Sequence, residues 1–173
     1  MVSKHPFLVG GEWRSSNETL QVHFPYNGEL VAEVSMATEQ DIEDAIQATV
    51  KGFEITKRLP AHARSEILYN LLGEMDRRAD ELIDALVMEG GKARQVAKGE
   101  FGRAKETVRV AAEEAKRIAG EIVPMDWTAA GENRQAIVRR FPLGPVLGIT
   151  PFNYPLNLGS HKLAPAIAAG NSF

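Results

Sequence analysis

Along this chain the spacing of hydrophobic positions changes period, and each change marks a different kind of element. Over residues 7–35 apolar and polar side chains alternate with period two, the pattern of half-buried strands. Phe7-Leu8-Val9 and Glu12-Trp13-Arg14 flank Gly10-Gly11 and predict a small hairpin. Leu20-Gln21-Val22-His23-Phe24 predicts a second strand, Pro25-Tyr26-Asn27-Gly28 a turn, and Leu30-Val31-Ala32-Glu33-Val34 its partner. From residue 38 to Gly120 the period becomes helical. Thr38-Glu39-Gln40-Asp41 has the spacing of a capping box, and Ile42, Ala45, Ile46 and Val50 make one face of the helix behind it. Pro60 punctuates. Leu68, Leu71 and Leu72 form a second apolar face; Leu82, Ile83, Leu86 and Val87 form a third, in a helix stopped by Gly90-Gly91. The fourth helix has the clearest seam. Ala97, Phe101, Ala104, Val108, Ala111, Ala115 and Ile118 recur at spacings of four and three, and the alanines favour close packing on a sheet or another helix. Gly120 is expected to close it.

Residues 121–134, with Pro124, Asp126, Gly131, Glu132 and Asn133, read as a connection. Residues 134–141 read as a strand with basic residues at its end. The organising stretch follows: Gly144-Pro145-Val146-Leu147-Gly148-Ile149-Thr150-Pro151-Phe152-Asn153-Tyr154-Pro155. Residues 146–149 predict a buried strand that stops at Pro151, which has no N–H to give a ladder. Pro155 suits the first turn of a helix over residues 156–169. Asn153 lies between the two prolines, at the carboxyl end of the expected strand, where open α/β sheets place their chemistry. Its amide there either donates to a developing oxyanion or bonds its own backbone in an Asx turn. Both readings stand on the local sequence.

Several of these segments, in this order, resemble the aldehyde dehydrogenase superfamily. They are Phe7-Leu8-Val9-Gly10-Gly11-Glu12-Trp13, Arg64-Ser65-Glu66-Ile67-Leu68, Glu89-Gly90-Gly91-Lys92, the stretch from Gly144 to Pro155, and Ala164-Pro165-Ala166-Ile167-Ala168-Ala169-Gly170-Asn171. The resemblance implies an α/β fold, specifically the amino-terminal part of an aldehyde dehydrogenase: a β-hairpin arm, a helical layer, and the first strand–helix unit of a Rossmann-like cofactor domain. It implies arm strands over 1–35 and 134–142, the helical part of the cofactor domain with its connection over 36–133, and the start of the NAD(P) domain over 143–173. Asn153 matches the family's side-chain oxyanion donor. Ile149, Thr150, Pro151 and Phe152 match the wall against which NAD or NADP lies, with plain core packing as the alternative for Phe152. The helix carrying Glu100-Phe101-Gly102-Arg103 and the Phe152-Asn153-Tyr154 triplet are similar to non-phosphorylating glyceraldehyde-3-phosphate, lactaldehyde and phosphonoacetaldehyde dehydrogenases. That similarity makes Arg103 and Tyr154 substrate-binding candidates for a small hydroxylated, phosphorylated or phosphonate aldehyde, since a guanidinium forks onto anions. The alternative is a solvated Arg103 flanked by Glu100 and Glu106. A homo-oligomer, dimer or tetramer, is the implied assembly.

Composition trims these expectations. The net charge of −3 and pI near 5.8 argue against nucleic acid or an anionic membrane as partner. No secretory h-region or membrane-length apolar run is read, so the expected location is cytoplasmic. His161 has no second ligand at metal spacing, so no metal is assigned. The 173 residues contain no cysteine. The family's reaction uses a cysteine nucleophile, so the chain is expected to be a piece of a longer enzyme and inactive alone. A non-catalytic truncated product acting as an oligomerisation or interaction module is the alternative.

Overall fold

The computed structural model describes residues 3–173. Among these residues are three small sheets and five α-helices, the longest of which forms the centre of the core. β1 (Ser3–His5), β5 (Leu30–Ser35) and β4 (Thr19–His23) form one sheet in the order β1-β5-β4, with β4 and β5 antiparallel. Their turn closes through Phe24, whose N–H donates to the Glu29 carbonyl at 2.8 Å. β1 pairs parallel to β5, Ser3 beside Ala32. This strand is absent from the sequence reading because Ser-Lys-His has no alternation to detect. β2 (Phe7–Val9) and β3 (Glu12–Arg14) form the expected hairpin.

Four helices follow: α1 (Glu39–Thr56), α2 (Ala61–Arg77), α3 (Ala79–Gly90) and α4 (Arg94–Glu114). The capping box of α1 is present, with the Thr38 hydroxyl accepting from the Asp41 N–H at 3.2 Å and Asp41 accepting from the Thr38 N–H at 3.0 Å. Arg14 of β3 donates to Asp41 at 3.0 Å and Asp44 at 2.7 Å, which ties the hairpin to α1. The expected apolar face of α1 is not a core face. Ile42, Ile46 and Val50 are exposed, because no element among the described residues packs opposite them.

The core forms where α4 packs against α2, α3 and α5 (Pro155–Ala168). Ala97, Ala104, Val108 and Ala112 of α4 and Ala164 of α5 are shut off from solvent. Small side chains at these positions let the helix backbones approach. The Ser65 hydroxyl of α2 donates to the Ala112 carbonyl at 2.7 Å, a buried polar contact inside the same interface. Helix α4 ends at Glu114, earlier than the seam suggests, and Ile118 is exposed beyond it.

Residues 121–134 are more than a connection. Glu121–Pro124 is a strand, β6, paired antiparallel to β7 (Gln135–Val138) in a ribbon separate from the first sheet. Gly120 starts that ribbon so close to its partner that a Cβ there would lie 2.0 Å from the Val138 carbonyl oxygen. The glycine serves this approach rather than a helix stop. The segment 146–149 is likewise not a buried strand. Leu147 and Ile149 are 86% and 79% exposed. The chain alongside contributes a single parallel bridge, Pro145 to Ser172, with the Val146 N–H donating to the Ser172 carbonyl at 2.9 Å. One bridge builds no ladder and covers no face, although the parallel sense with α5 between is that of a β-α-β crossover. Pro155 occupies the first turn of α5, as its position predicts.

Two outcomes test this account of the α1 end. Thr38→Ala should lower unfolding stability by about 1 kcal/mol in denaturant titrations, and Thr38→Asn should be close to neutral. Hydrogen bonds from Thr38 hold the Asp41 carboxyl below its ordinary value of 3.8, and those from Arg14 do the same for Asp44. A folded value below the unfolded one stabilises above that value and is lost as pH falls through it. Melts taken from near pH 6 down to about pH 3 should therefore show a larger loss for the wild type than for Asp41→Asn/Asp44→Asn.

Candidate functional site

The start of α5 has an unusual local problem. Its N-cap residue is Tyr154, which offers no capping side chain, and Pro155 behind it has no N–H. The next two amides, of Leu156 and Asn157, point out of the helix end and need acceptors. The acceptor comes from a different helix. The Glu100 carboxylate of α4 accepts from the Leu156 N–H at 3.0 Å and from the Asn157 N–H at 3.3 Å. Its other oxygen meets the Lys92 ammonium. The Glu100 side chain is wholly buried and that of Lys92 is 13% exposed. A carboxylate at a helix N-terminus, with an ammonium at its back, is favourable on both counts.

Lys92 reaches this position because α3 ends at Gly91 in the left-handed conformation, φ 62°. A side chain there would be strained, and it would also crowd Pro25 at 3.1 Å. From there the Lys92 ammonium also lies over the Tyr154 ring, 4.4 Å from its centre. The Arg103 guanidinium lies 5.5 Å from the same centre. Tyr154 is thus contacted by two cations, one engaged with Glu100 and one without an ion pair among the described residues. This differs from the reading of Arg103 as a residue flanked by Glu100 and Glu106. Glu100 is turned into the core, and Glu106 pairs with Arg109.

Asn153 lies one residue before Tyr154, exposed, and its side chain makes no hydrogen bond among the described residues. The Asx-turn alternative therefore has no bond to support it. Pro151 before it is exposed too. Phe152 is 76% exposed, which rules out core packing within this chain. With Leu82, Ala85, Leu86, Pro155 and Leu156 it lines a hollow of about 230 Å³. Thr150 faces a different groove, of about 410 Å³, together with Gly148, Gly159 and Ser160. Ile149 projects into the open. The structure thus brings Arg103, Tyr154 and Asn153 to one end of α5; of residues 149–152, only Thr150 and Phe152 line a depression, each a different one.

Glu100 and Lys92 are the site residues that sequence reasoning missed. A signal existed. Glu100 falls three residues after Ala97 and four before Ala104, so it lies in the smallest, tightest part of the α4 seam. A charged residue inside a seam of alanines needs a dedicated partner. Two further polar residues support the same helix end: Asn157, buried, and Thr107, whose hydroxyl is 3.2 Å from His161 Nε2. Among the described residues no cluster of histidine and carboxylate groups could hold a metal ion.

Comparison with known proteins follows the same outline. The chain is 39% identical over 171 residues to the 3-sulfolactaldehyde dehydrogenase of Priestia aryabhattai, covering 99% of this chain and 35% of that protein. It superposes on aldehyde dehydrogenase 21 from Physcomitrella patens, solved in complex with the reaction product succinate, with a TM-score of 0.95 and 38% identity, over 99% of this chain and 36% of that one. The NADP-dependent glyceraldehyde-3-phosphate dehydrogenase of Bacillus halodurans C-125, solved with NADP, gives 0.91 and 33%, over 97% of this chain and 36% of the other. The chain spans about 35% of the length of the curated relatives it matches. The Aldehyde dehydrogenase family profile matches residues 13–173, and with these relatives it shows that the chain belongs to the aldehyde dehydrogenase family.

Proposed function

We propose that the protein carrying this chain oxidises a small anionic aldehyde to its acid with NAD or NADP. The observation that carries this reading is the pairing at the head of α5: a free Asn153 amide beside a Tyr154 ring contacted by Arg103 and Lys92. When a nucleophile adds to an aldehyde carbon, the carbonyl electrons move onto oxygen. A preorganised N–H donor aimed at that oxygen stabilises the charge as it forms. Asn153 Nδ2 supplies such a donor, on a backbone stiffened by Pro151 and Pro155.

Arg103 gives the substrate end its charge selectivity, because a guanidinium forks onto sulfonate, phosphate or carboxylate. Two of the proteins this chain resembles are named for anionic aldehydes, a 3-sulfolactaldehyde dehydrogenase and a glyceraldehyde-3-phosphate dehydrogenase, while a lactaldehyde dehydrogenase from Methanocaldococcus jannaschii is named for a neutral one. The nicotinamide cofactor, when bound, supplies the hydride acceptor. The groove that Thr150 lines with Gly148, Gly159 and Leu163 is the hollow beside the Asn153 end of α5 where such a cofactor would approach. Ile149 and Phe152 are exposed apolar side chains on either side of Thr150 and Pro151, free to meet such a cofactor. The thiolate such chemistry requires is not among these 173 residues, which contain no cysteine.

We assign residues 1–35 and 134–142 to an oligomerisation arm, 36–133 to the helical part of the cofactor-binding domain with its connection, and 143–173 to the start of the NAD(P) domain. The exposed Ile137, Val138 and Phe141 within residues 134–142 support a dimeric or tetrameric assembly through that arm. No helix among the described residues is long and apolar enough to cross a membrane, in keeping with a cytoplasmic enzyme.

In the full-length protein, Asn153→Ala should lower kcat by about 10²–10³-fold while the melting temperature holds. A near-normal kcat would refute the donor role. Arg103→Gln should raise KM for a sulfonated or phosphorylated aldehyde by roughly 10–100-fold, the value of a hydrogen bond to a charged group, and leave a neutral aldehyde of the same length unaffected. Equal losses on both substrates would overturn the assignment of Arg103 to the anionic end.

A further inference from the structure

We infer that Glu100, held by Lys92, is the positioning residue of the oxyanion site: its carboxylate fixes the start of α5 and thereby the aim of the Asn153 amide. The inference rests on the proposed function above and adds to it a group that touches neither substrate nor cofactor.

Three observations lead to it. First, the contact is specific. One carboxylate oxygen accepts from two successive amides, of Leu156 at 3.0 Å and Asn157 at 3.3 Å, and these are the first two N–H groups that α5 possesses after Pro155. They lie only three and four residues after Asn153, with a proline between. A shift in their position carries residues 153 and 154 along, because Pro155 leaves little slack in φ. Second, Glu100 is rigidly placed. It is buried between Ala97 and Ala104 on α4, and both carboxylate oxygens are engaged, one by Lys92 and one by two α5 amides. Third, its partner reaches the same site from another side. Lys92 holds the second carboxylate oxygen and covers the Tyr154 ring, so one ion pair fixes both the residue bearing the donor and the ring next to it. A buried carboxylate needs partners wherever it lies; the partners it has here are the head of α5 and the ammonium that covers the Tyr154 ring. An enzyme group misplaced by about 1 Å loses on the order of 10²-fold in rate, so a support of this kind is visible in kinetics.

The test is a double-mutant cycle in the full-length protein, with kcat, KM for an anionic aldehyde, and melting temperature measured for wild type, Glu100→Gln, Asn153→Ala and the double variant. Glu100→Gln keeps the size and one acceptor oxygen but removes the charge that Lys92 and the two amides share. Glu100→Gln alone should lower kcat by about 10–10²-fold with KM changed less than threefold. In the Asn153→Ala background the same change should cost less than about twofold, because the group it positions is gone. Exchange of the Leu156 and Asn157 amides with solvent deuterium should accelerate in Glu100→Gln. If Glu100→Gln fails to fold, Glu100→Asp keeps the charge beside Lys92, shortens the reach to Leu156, and passes through the same cycle. Independent losses that multiply in the double variant overturn the inference and leave Glu100 a stabilising residue. A wild-type kcat in Glu100→Gln overturns it as well. A wild-type protein that oxidises no sulfonated, phosphorylated or carboxylated aldehyde overturns the proposed function itself and the inference with it, so the two failures are told apart.

Discussion

The closeness of α4 to α5 is the constraint on which the rest depends. Ala97, Ala104, Val108 and Ala112 of α4 and Ala164 of α5 are shut off from solvent in the core that the two helices share. Larger side chains there would overpack the contact, at a cost of about 1–3 kcal/mol each. Whatever lies in that seam is desolvated, and Glu100 lies in it. A carboxylate without water is costly to bury unless it is paired and hydrogen-bonded. The fold satisfies it with an ammonium from the loop after α3 and two amides from the head of α5. A purely local packing requirement thus decides where two distant segments of chain must sit.

The consequences run outward from that point. The α3–α4 loop must turn back sharply to deliver Lys92, which is why it uses a left-handed Gly91. The head of α5 must stay in line with the carboxylate, which sets the exit direction of residues 151–154. Tyr154 then falls against the Lys92 ammonium, and Arg103, one turn along α4 from Glu100, reaches the same ring. Lys92, Arg103 and Tyr154 meet although one sits in the loop after α3, one on α4 and one at the N-terminal end of α5.

Much of this was legible in the sequence, and the boundary is instructive. Periodicity found the β2–β3 and β4–β5 pairs, the capping box of α1, the breaks at Pro60, Gly91 and Pro155, and the alanine seam of α4. These depend on neighbours close in sequence. What failed depended on neighbours far away. An apolar run over residues 146–149 reads as buried, yet burial needs a facing strand, and here the facing chain gives one bridge at Ser172. Ile42, Ile46 and Val50 have the right spacing for a core face, but spacing says nothing of what lies opposite. β1 and β6 escaped because Ser-Lys-His and Glu-Ile-Val-Pro look like loops until their partners are known. At the candidate site, Asn153, Tyr154 and Arg103 were singled out by motif, and the structure gathers them. Glu100 was set aside as a solvated flank because helical spacing alone places it beside Arg103.

The placement of that carboxylate also explains why position 154 can hold a tyrosine. A helix usually caps itself with Ser, Thr, Asp or Asn at the N-cap, and each would satisfy one of the Leu156 and Asn157 amides locally. Such a residue at 154 would remove the ring that the two cations contact. An apolar residue at 100 would pack well enough in the seam but leave both amides buried without acceptors, and each unpaired group costs about 1–3 kcal/mol. Moving the cap from the helix that needs it to the helix beside it resolves both demands. The N-cap position is freed for an aromatic side chain, and the amides keep a charged acceptor. The same move links the orientation of residues 153 and 154 to a packed helix interface instead of a surface turn, which is where a hydrogen-bond donor meant to hold a fixed aim is best supported.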